Sequence, residues 1–224
     1  MKIHTHATSS KGNLWTVERK SDTIIIDAGV KRKVKGDILL VSHRHGDHSM
    51  YIDHYIDDVE HFSTTPEVME DLKSARRMNA YTYQKMQAKY IPSFLLDIDT
   101  FETVHDVPSC GFIIYDGDKK VVHATDTAEM PKDEVMRNAE HYNIEANYDD
   151  DTIILSDRWQ PLNERAYRTH MSNKNAVEWI LWAIGDKTKS VSFNHVSSDT
   201  NYDGAIEELA KGIKCYKYIR GRKI

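Results

Sequence analysis

Short apolar runs separated by polar clusters dominate the first third of the chain. "NLWTVER", "DTIIIDAG" and "GDILLVSH" are each bounded by Gly, Asp or Lys, which is the pattern of strands. An alternating stretch precedes them and puts His4 and His6 on a first strand. From Pro66 to about Tyr90 the apolar residues fall at helical spacing. Strands return at "GFIIYDG" and "KKVVHATD", with "DG" as the hairpin turn between them. "PKDEVMRNAEHY" reads as a helix opened by proline and early acids, and "TIILSD" as the strand after it. The clearest helix is "SNKNAVEWILWAIGDK", with Ser172 as N-cap and Gly185 near its end. "KSVSFNHVS" predicts a strand, "YDGAIEELAKG" a helix and "IKCYKYI" a last strand. No repeat interrupts the order, so we expect one α/β domain over residues 1–224 with layered sheets.

Composition narrows the class. The chain has 224 residues, 40% apolar and 29% charged, as a folded globular protein does. A formal charge of −5 argues against a general polycation but leaves room for local basic patches. Lys73, Arg76, Arg77, Lys85 and Lys89 interleave with Tyr81, Tyr83 and Tyr90, and the tail "KGIKCYKYIRGRKI" holds no acid. Such mixtures suit backbone contacts and base stacking on single strands, or an ordinary solvated face. Cys110 and Cys215 make no disulfide framework and fit a reducing compartment. No apolar run is long enough for a bilayer and no secretory leader is evident, so a cytoplasmic protein is expected.

The candidate chemistry concentrates in "LLVSHRHGDHSM". His43, His45, Asp47 and His48 follow an apolar strand directly, and burying such a density of polar groups without partners would cost heavily. A strand ending at His43 puts His43 and His45 on one side, while Gly46 lets the chain turn before Asp47 and His48. Imidazole with carboxylate suits Zn²⁺, and also Mn²⁺ or Fe²⁺. His105, Asp126 and His195 stand at the ends of later strands and complete seven candidate ligands, enough for two cations. His54, His61 and His141 sit among charged residues and read as surface side chains, and His123 as structural.

This ordered set of HxHxDH, a later His, the Asp of "ATDT" and a strand-end His resembles the metallo-β-lactamase superfamily. "SSKGN", "HDVPSCGF", "IEANYD" and "HMSN" resemble its WalJ-like (YycJ) branch, linked to DNA exonuclease activity, and "HMSN" also resembles ribonuclease Z. The resemblance implies an αββα sandwich, two mixed sheets flanked by helices. It implies one metal on His43, His45 and His105, a second on Asp47, His48 and His195, and Asp126 bridging them. Asp27 would support the ligand loop from behind. The implied reaction is phosphodiester hydrolysis of nucleic acid, DNA ahead of RNA, by a hydroxide bridging two zinc or manganese ions. Asp47 and His170 would be its catalytic residues.

His170 immediately precedes the helix capped by Ser172, where free backbone amides suit a phosphate. The matching histidine of ribonuclease Z-like enzymes lies over the scissile phosphate, so His170 is expected to protonate the leaving oxygen or stabilise charge. The family pattern implies that Glu145 orients it. Ser172 and Asn173 are expected to cap the helix or contact phosphate. Departures are "THMSN", where the branch usually carries Gly before the His, and "NYD" where it often has "NHD". Two other readings stay open: a phosphodiesterase for small cyclic nucleotides, and a non-catalytic metal-bound scaffold. Whether the chain forms an oligomer is also open.

Overall fold

The computed structural model describes residues 1–74, 80–155, 160–201, 204–213 and 216–218. By its internal contacts the chain forms two compact units. Of the described residues, one comprises those of 1–100 with Val107–Cys110, and the other Phe101–Asp106 with those of 111–218.

The first unit is built on a mixed sheet ordered β1-β2-β3-β4-β5: β1 (Lys2–Ala7), β2 (Leu14–Glu18), β3 (Thr23–Ile26), β4 (Ile38–Val41) and β5 (His61–Thr64). β1 to β3 run antiparallel, whereas β3, β4 and β5 are mutually parallel. Parallel central strands are covered on both faces, which is why "TIII" and "ILLV" are continuous apolar runs rather than alternating ones. Two one-turn helices, α1 (Gly46–Ser49) and α2 (Ile52–Tyr55), follow β4, and α3 (Pro66–Ser74) and α4 (Ala80–Lys89) follow β5. Ile52, Ile56, Val68, Leu72 and Met86 of this helical layer pack with Ile25, Leu39, Val41 and Phe62 of the sheet.

The second sheet is ordered β11-β10-β9-β8-β7-β6: β6 (Ile98–Glu102), β7 (Cys110–Asp116), β8 (Lys119–His123), β9 (His141–Glu145), β10 (Ser190–Asn194) and β11 (Tyr216–Tyr218). β7 and β8 form the expected hairpin, with Gly117 at φ 63° in its turn. β8, β9, β10 and β11 are parallel. The helices of this part are α5 (Asp150–Leu155), α6 (Gln160–Thr169), α7 (Asn173–Ala183) and α8 (Ala205–Leu209). α7 lays Ala176, Val177, Trp179, Ile180 and Ala183 against Tyr142, Ile144, Val191 and Phe193. Two mixed sheets flanked by helices are the architecture the sequence pointed to.

Several local expectations are corrected. "PKDEVMRNAEHY" is not a helix: Asp133 caps only a short 3-10 turn at Glu134–Met136, and β9 begins at His141. A central slot between β8 and β10 decides that segment, because sheet context overrides local propensity. Thr152–Leu155 of "TIILSD" are helix, not strand. Asp149 accepts from the Thr152 amide and hydroxyl at 2.9 and 2.7 Å and nucleates α5. The helical pattern after Pro66 is borne out on both sides of positions 75–79, in α3 and α4, and those five positions lie outside the described residues. β4 ends at Val41, two residues before His43. Among the described residues no helix is long and apolar enough to cross a membrane.

Candidate functional site

In the first unit, parallel β3 and β4 bring their C-terminal ends to one edge, with Ile26 in register with Leu40. Asp27 leaves β3 there and Ser42 leaves β4. Asp27 is fully buried and left-handed (φ 61°), a conformation that costs energy for any residue but glycine and is tolerated where the surroundings over-determine it. Its Oδ1 accepts the Ser42 amide at 2.8 Å and its Oδ2 accepts Nδ1–H of His48 at 2.7 Å. A carboxylate only accepts, so the His48 proton sits on Nδ1 and the lone pair on Nε2, the form that binds a metal.

The loop does not continue the strand. His45 is the extended N-cap residue of α1, so Asp47 and His48 lie on a helical turn. Gly46 is not in a left-handed conformation, and an added Cβ there would meet only the Met50 Cε at 3.2 Å, so the turn does not depend on glycine. Gly29 is the glycine that matters: a Cβ would fall 1.6 Å from the Asp47 carbonyl oxygen. The result is a cluster of imidazoles, with His43 and His45 centroids 4.9 Å apart and His43 and His48 4.1 Å apart. Asp47 Oδ2 lies 3.4 Å from His48 Nε2.

The second unit repeats this logic. Parallel β8, β9 and β10 end on one edge, with Glu145 in register with Asn194. Asp126 follows β8 at φ 50° and His195 follows β10 at φ 51°, both again left-handed. The two oxygens of Asp126 face different imidazoles, Oδ2 to His105 Nε2 at 3.6 Å and Oδ1 to His195 Nε2 at 3.5 Å. His105 donates Nδ1–H to the Thr169 carbonyl at 3.0 Å, which turns its Nε2 lone pair toward Asp126. Burial holds the His105 imidazole below its ordinary pKa, with the Asp126 charge pulling the other way, so the neutral ligand form is favoured.

Glu145 organises the rest. Fully buried, it accepts the Thr127 amide on Oε2 at 2.6 Å, and on Oε1 it accepts Nδ1–H of His170 at 2.7 Å and of His195 at 2.9 Å. Burial pushes its carboxyl upward, but His170 and His195 outweigh this and hold it below the usual carboxylate range. His170 stacks on His195 with centroids 5.0 Å apart, and its side chain stays 13% exposed. Asp126, Glu145, His170 and His195 each offer a ligand atom within 4.8 Å of the others.

The other candidates divide. Ser172 is the N-cap of α7, its Oγ accepting the Asn175 amide at 3.2 Å, and Asn173 exchanges amide hydrogen bonds with Asn201 at 2.9 and 2.8 Å. Both are buried and their side chains are used inside the fold, Ser172 as the expected cap. His6 bonds Thr16, His4 faces Glu18 and buried His123 bonds Asn143. His54 is exposed as expected, whereas His61 and His141 are half-buried. On α4, Lys89 is spent on the carbonyls of Ile56, Asp57 and Val59 at 2.6, 3.1 and 2.5 Å, and Lys85 on Asp57. Arg76 and Arg77 lie outside the described residues.

Two residues escaped the sequence reading. Asn13 is fully buried; its Oδ1 accepts the Ser9 amide, and its Nδ2 points at Asp47 Oδ2 (3.2 Å) and His48 Nε2 (2.8 Å). Asn147 donates to the His195 carbonyl at 2.7 Å. Each amide ties a ligand-bearing loop to a distant segment. Only their place within "SSKGN" and "IEANYD" hinted at a role.

Comparison with known proteins follows from this geometry. A family model described as a beta-lactamase superfamily domain matches residues 25–190. Exodeoxyribonuclease WalJ of Streptococcus pneumoniae is 26% identical over 227 positions, covering 91% of this chain and 83% of the relative. The metallo-beta-lactamase fold protein YhfI from Bacillus subtilis superposes with a TM-score of 0.68 at 14% identity, covering 99% of this chain and 97% of that one. The short form of human tRNase Z superposes with a TM-score of 0.60 at 13% identity, covering 88% and 93%. At such identities the two structures speak for the fold alone.

Proposed function

Because the chain belongs to the beta-lactamase superfamily, a family of metal-dependent hydrolases, we propose that it is a phosphodiesterase cutting nucleic acid, DNA ahead of RNA. The exonuclease relative, at 26% identity over most of both chains, supports the substrate class. The observation that carries the reading is the Glu145–His170 pair: a buried carboxylate fixes Nδ1 of a part-exposed imidazole beside Asp126 and His195.

The donor set fits divalent metal. His48, His105 and His195 each have Nδ1 held by a carboxylate or carbonyl, leaving Nε2 as ligand, and Asp126 turns one oxygen toward each of two imidazoles. His43, His45 and His105 would hold one ion, Asp47, His48 and His195 a second, and Asp126 would contact both. Bound there, such ions supply Lewis acidity and acidify water enough for attack at neutral pH. The chain's own work is then positional. Asp27 and Glu145 keep the imidazoles in the ligating tautomer. His170 carries a proton on Nε2 when charged and delivers it to the departing oxygen, while Glu145 balances the charge.

His170→Ala tests this. Both metals and the fold should be retained, while turnover of DNA falls by ~10²–10⁴-fold, the range for a positioned proton donor. A nitrophenyl phosphodiester, whose leaving group departs without a proton, should lose less. Full activity of the variant on every substrate contradicts the reading. A panel of single- and double-stranded DNA and RNA beside cyclic nucleotides fixes the substrate, and turnover of cyclic nucleotides alone would replace the nuclease reading.

A further inference from the structure

Several cations of the first unit are partnered within the protein. Arg19 pairs with Asp22 at 2.6 Å, Arg44 with Asp71 at 2.8 Å and Lys85 with Asp57 at 2.6 Å, while Lys89 is held by three carbonyls. The first three charges are neutralised by carboxylates and the fourth is solvated by backbone carbonyls. The run Lys31, Arg32, Lys33 and Lys35 is different. Four cations occupy five consecutive positions, Lys31, Lys33 and Lys35 are exposed, and none of the four is within ion-pair distance of a carboxylate among the described residues. In a chain of net charge −5, carboxylates are plentiful, so a dense run without one is a local exception. Crowded like charges repel unless an external anion meets them.

Position gives the run a meaning. It starts two residues after Gly29, whose backbone abuts the Asp47 carbonyl. The Tyr51 amide donates to the Ala28 carbonyl at 2.8 Å, so the segment leaves the edge that carries α1, with Asp47 and His48. Lys31 Nζ sits 5.2 Å over the Tyr51 ring, placing a cation and a partly exposed aromatic face together. Tyr55 OH donates to the Val30 carbonyl at 2.6 Å and accepts the Arg32 amide at 3.0 Å, which anchors the start of the run. Val34 is half-buried and packs against the core, so the segment offers no apolar side chain for insertion into a lipid surface.

We propose that Lys31, Arg32, Lys33 and Lys35 form a track for the phosphate backbone of a nucleic-acid strand, with Tyr51 as a stacking platform. The proposal rests on the phosphodiesterase reading and names the polymer-binding surface for it. Cations that meet phosphates release counterions, so the signature is a salt-dependent affinity. The aromatic face beside Lys31 is the feature expected for a single strand, whose bases can stack without regard to sequence.

The test combines Lys31→Gln, Lys33→Gln and Lys35→Gln in one variant. Binding of a labelled single-stranded DNA oligonucleotide is followed by anisotropy across a salt series. The slope of log affinity against log salt should fall by about 2, from roughly 0.7 per lost phosphate contact, and low-salt Kd should rise by ~10-fold or more. Hydrolysis of a small chromogenic phosphodiester should not change. Should the triple variant fail to fold, Lys35→Gln alone should lower the slope by about 0.7. An unaltered slope overturns the track. So does DNA binding that is retained while binding to phosphatidylserine vesicles is lost, which would make the run a membrane contact. Wild-type protein that binds DNA through these lysines but cuts no phosphodiester would remove the enzymatic reading and leave the track standing. Wild-type cleavage with no lysine dependence would do the reverse.

Discussion

The two units solve one problem with the same device but write it differently in sequence. In each, a fully buried carboxylate stands at the C-terminal edge of parallel strands. One of its oxygens takes a backbone amide next to a candidate ligand, and the other takes Nδ1–H of a histidine. Asp27, Ser42 and His48 do this in the first unit, and Glu145, Thr127 and His195 in the second. The difference lies in spacing. The first unit's candidate ligands fit between His43 and His48, whereas those of the second are spread from His105 to His195, and Asp126 and His195 meet because β8, β9 and β10 are parallel and in register. Glu145 also serves a second imidazole, His170, which has no counterpart on Asp27. A compact motif needs one loop, a dispersed one needs a correct sheet.

Removing a ligand from either unit is the severest test of that equivalence. His48→Ala and Asp126→Ala should each lose at least one metal and essentially all hydrolysis, since water cannot replace a ligand in a two-cation clamp. Elemental analysis giving two metals in Asp126→Ala would break the assignment.

The supporting carboxylates come next. Asp27→Asn and Glu145→Gln should each weaken metal affinity about 10–100-fold, the usual cost of removing a group that orients a ligand histidine. Calorimetric titration with Zn²⁺ or Mn²⁺ reads this. Glu145→Gln should in addition lower turnover at saturating metal, because His170 loses its partner, and Asp27→Asn should not. Equal turnover losses in the two variants would dissolve the distinction between the units.

What the sequence revealed follows the same divide. His43 to His48 stand out as candidates because polar density is local, Asp126 and His195 because each follows an apolar strand, and His105 because it follows an alternating one. The left-handed backbone of Asp27, Asp126 and His195 left no trace, since nothing in an Asp or His announces that its neighbours will impose it. Asn13 and Asn147 were invisible as partners because their contacts lie far along the chain. Residues 131–155 were exchanged between helix and strand because the sheet's need for a central β9 and the Asp149 cap on α5 outweigh local pattern. Gly46 invited a conformational role that the helical turn does not require.

The two amides sharpen the comparison at smaller scale. Asn13→Ala and Asn147→Ala each leave buried groups without partners and should lower stability by about 1–3 kcal/mol, measured by urea unfolding. A loss confined to one variant would show that the loops are tied unequally. The smallest effect concerns Cys110, whose amide and thiol both donate to the Ser42 carbonyl, at 3.1 and 3.6 Å, closing the first ligand loop. Burial pushes its thiol up to about 12, so the thiol rather than the reactive thiolate is favoured at pH 8. Alkylation of Cys110 by iodoacetamide should therefore be slow in the folded protein, and rapid reaction would mean that the loop opens.

What remains to be measured is whether this chain hydrolyses phosphodiesters in a metal-dependent way. The most direct measurement is the cleavage rate of a labelled single-stranded DNA by metal-stripped protein titrated with Zn²⁺ or Mn²⁺. Activity should rise with added metal and reach its plateau at two equivalents per chain. Absence of cleavage at every metal loading, or full cleavage by the stripped protein in excess chelator, would contradict the phosphodiesterase reading.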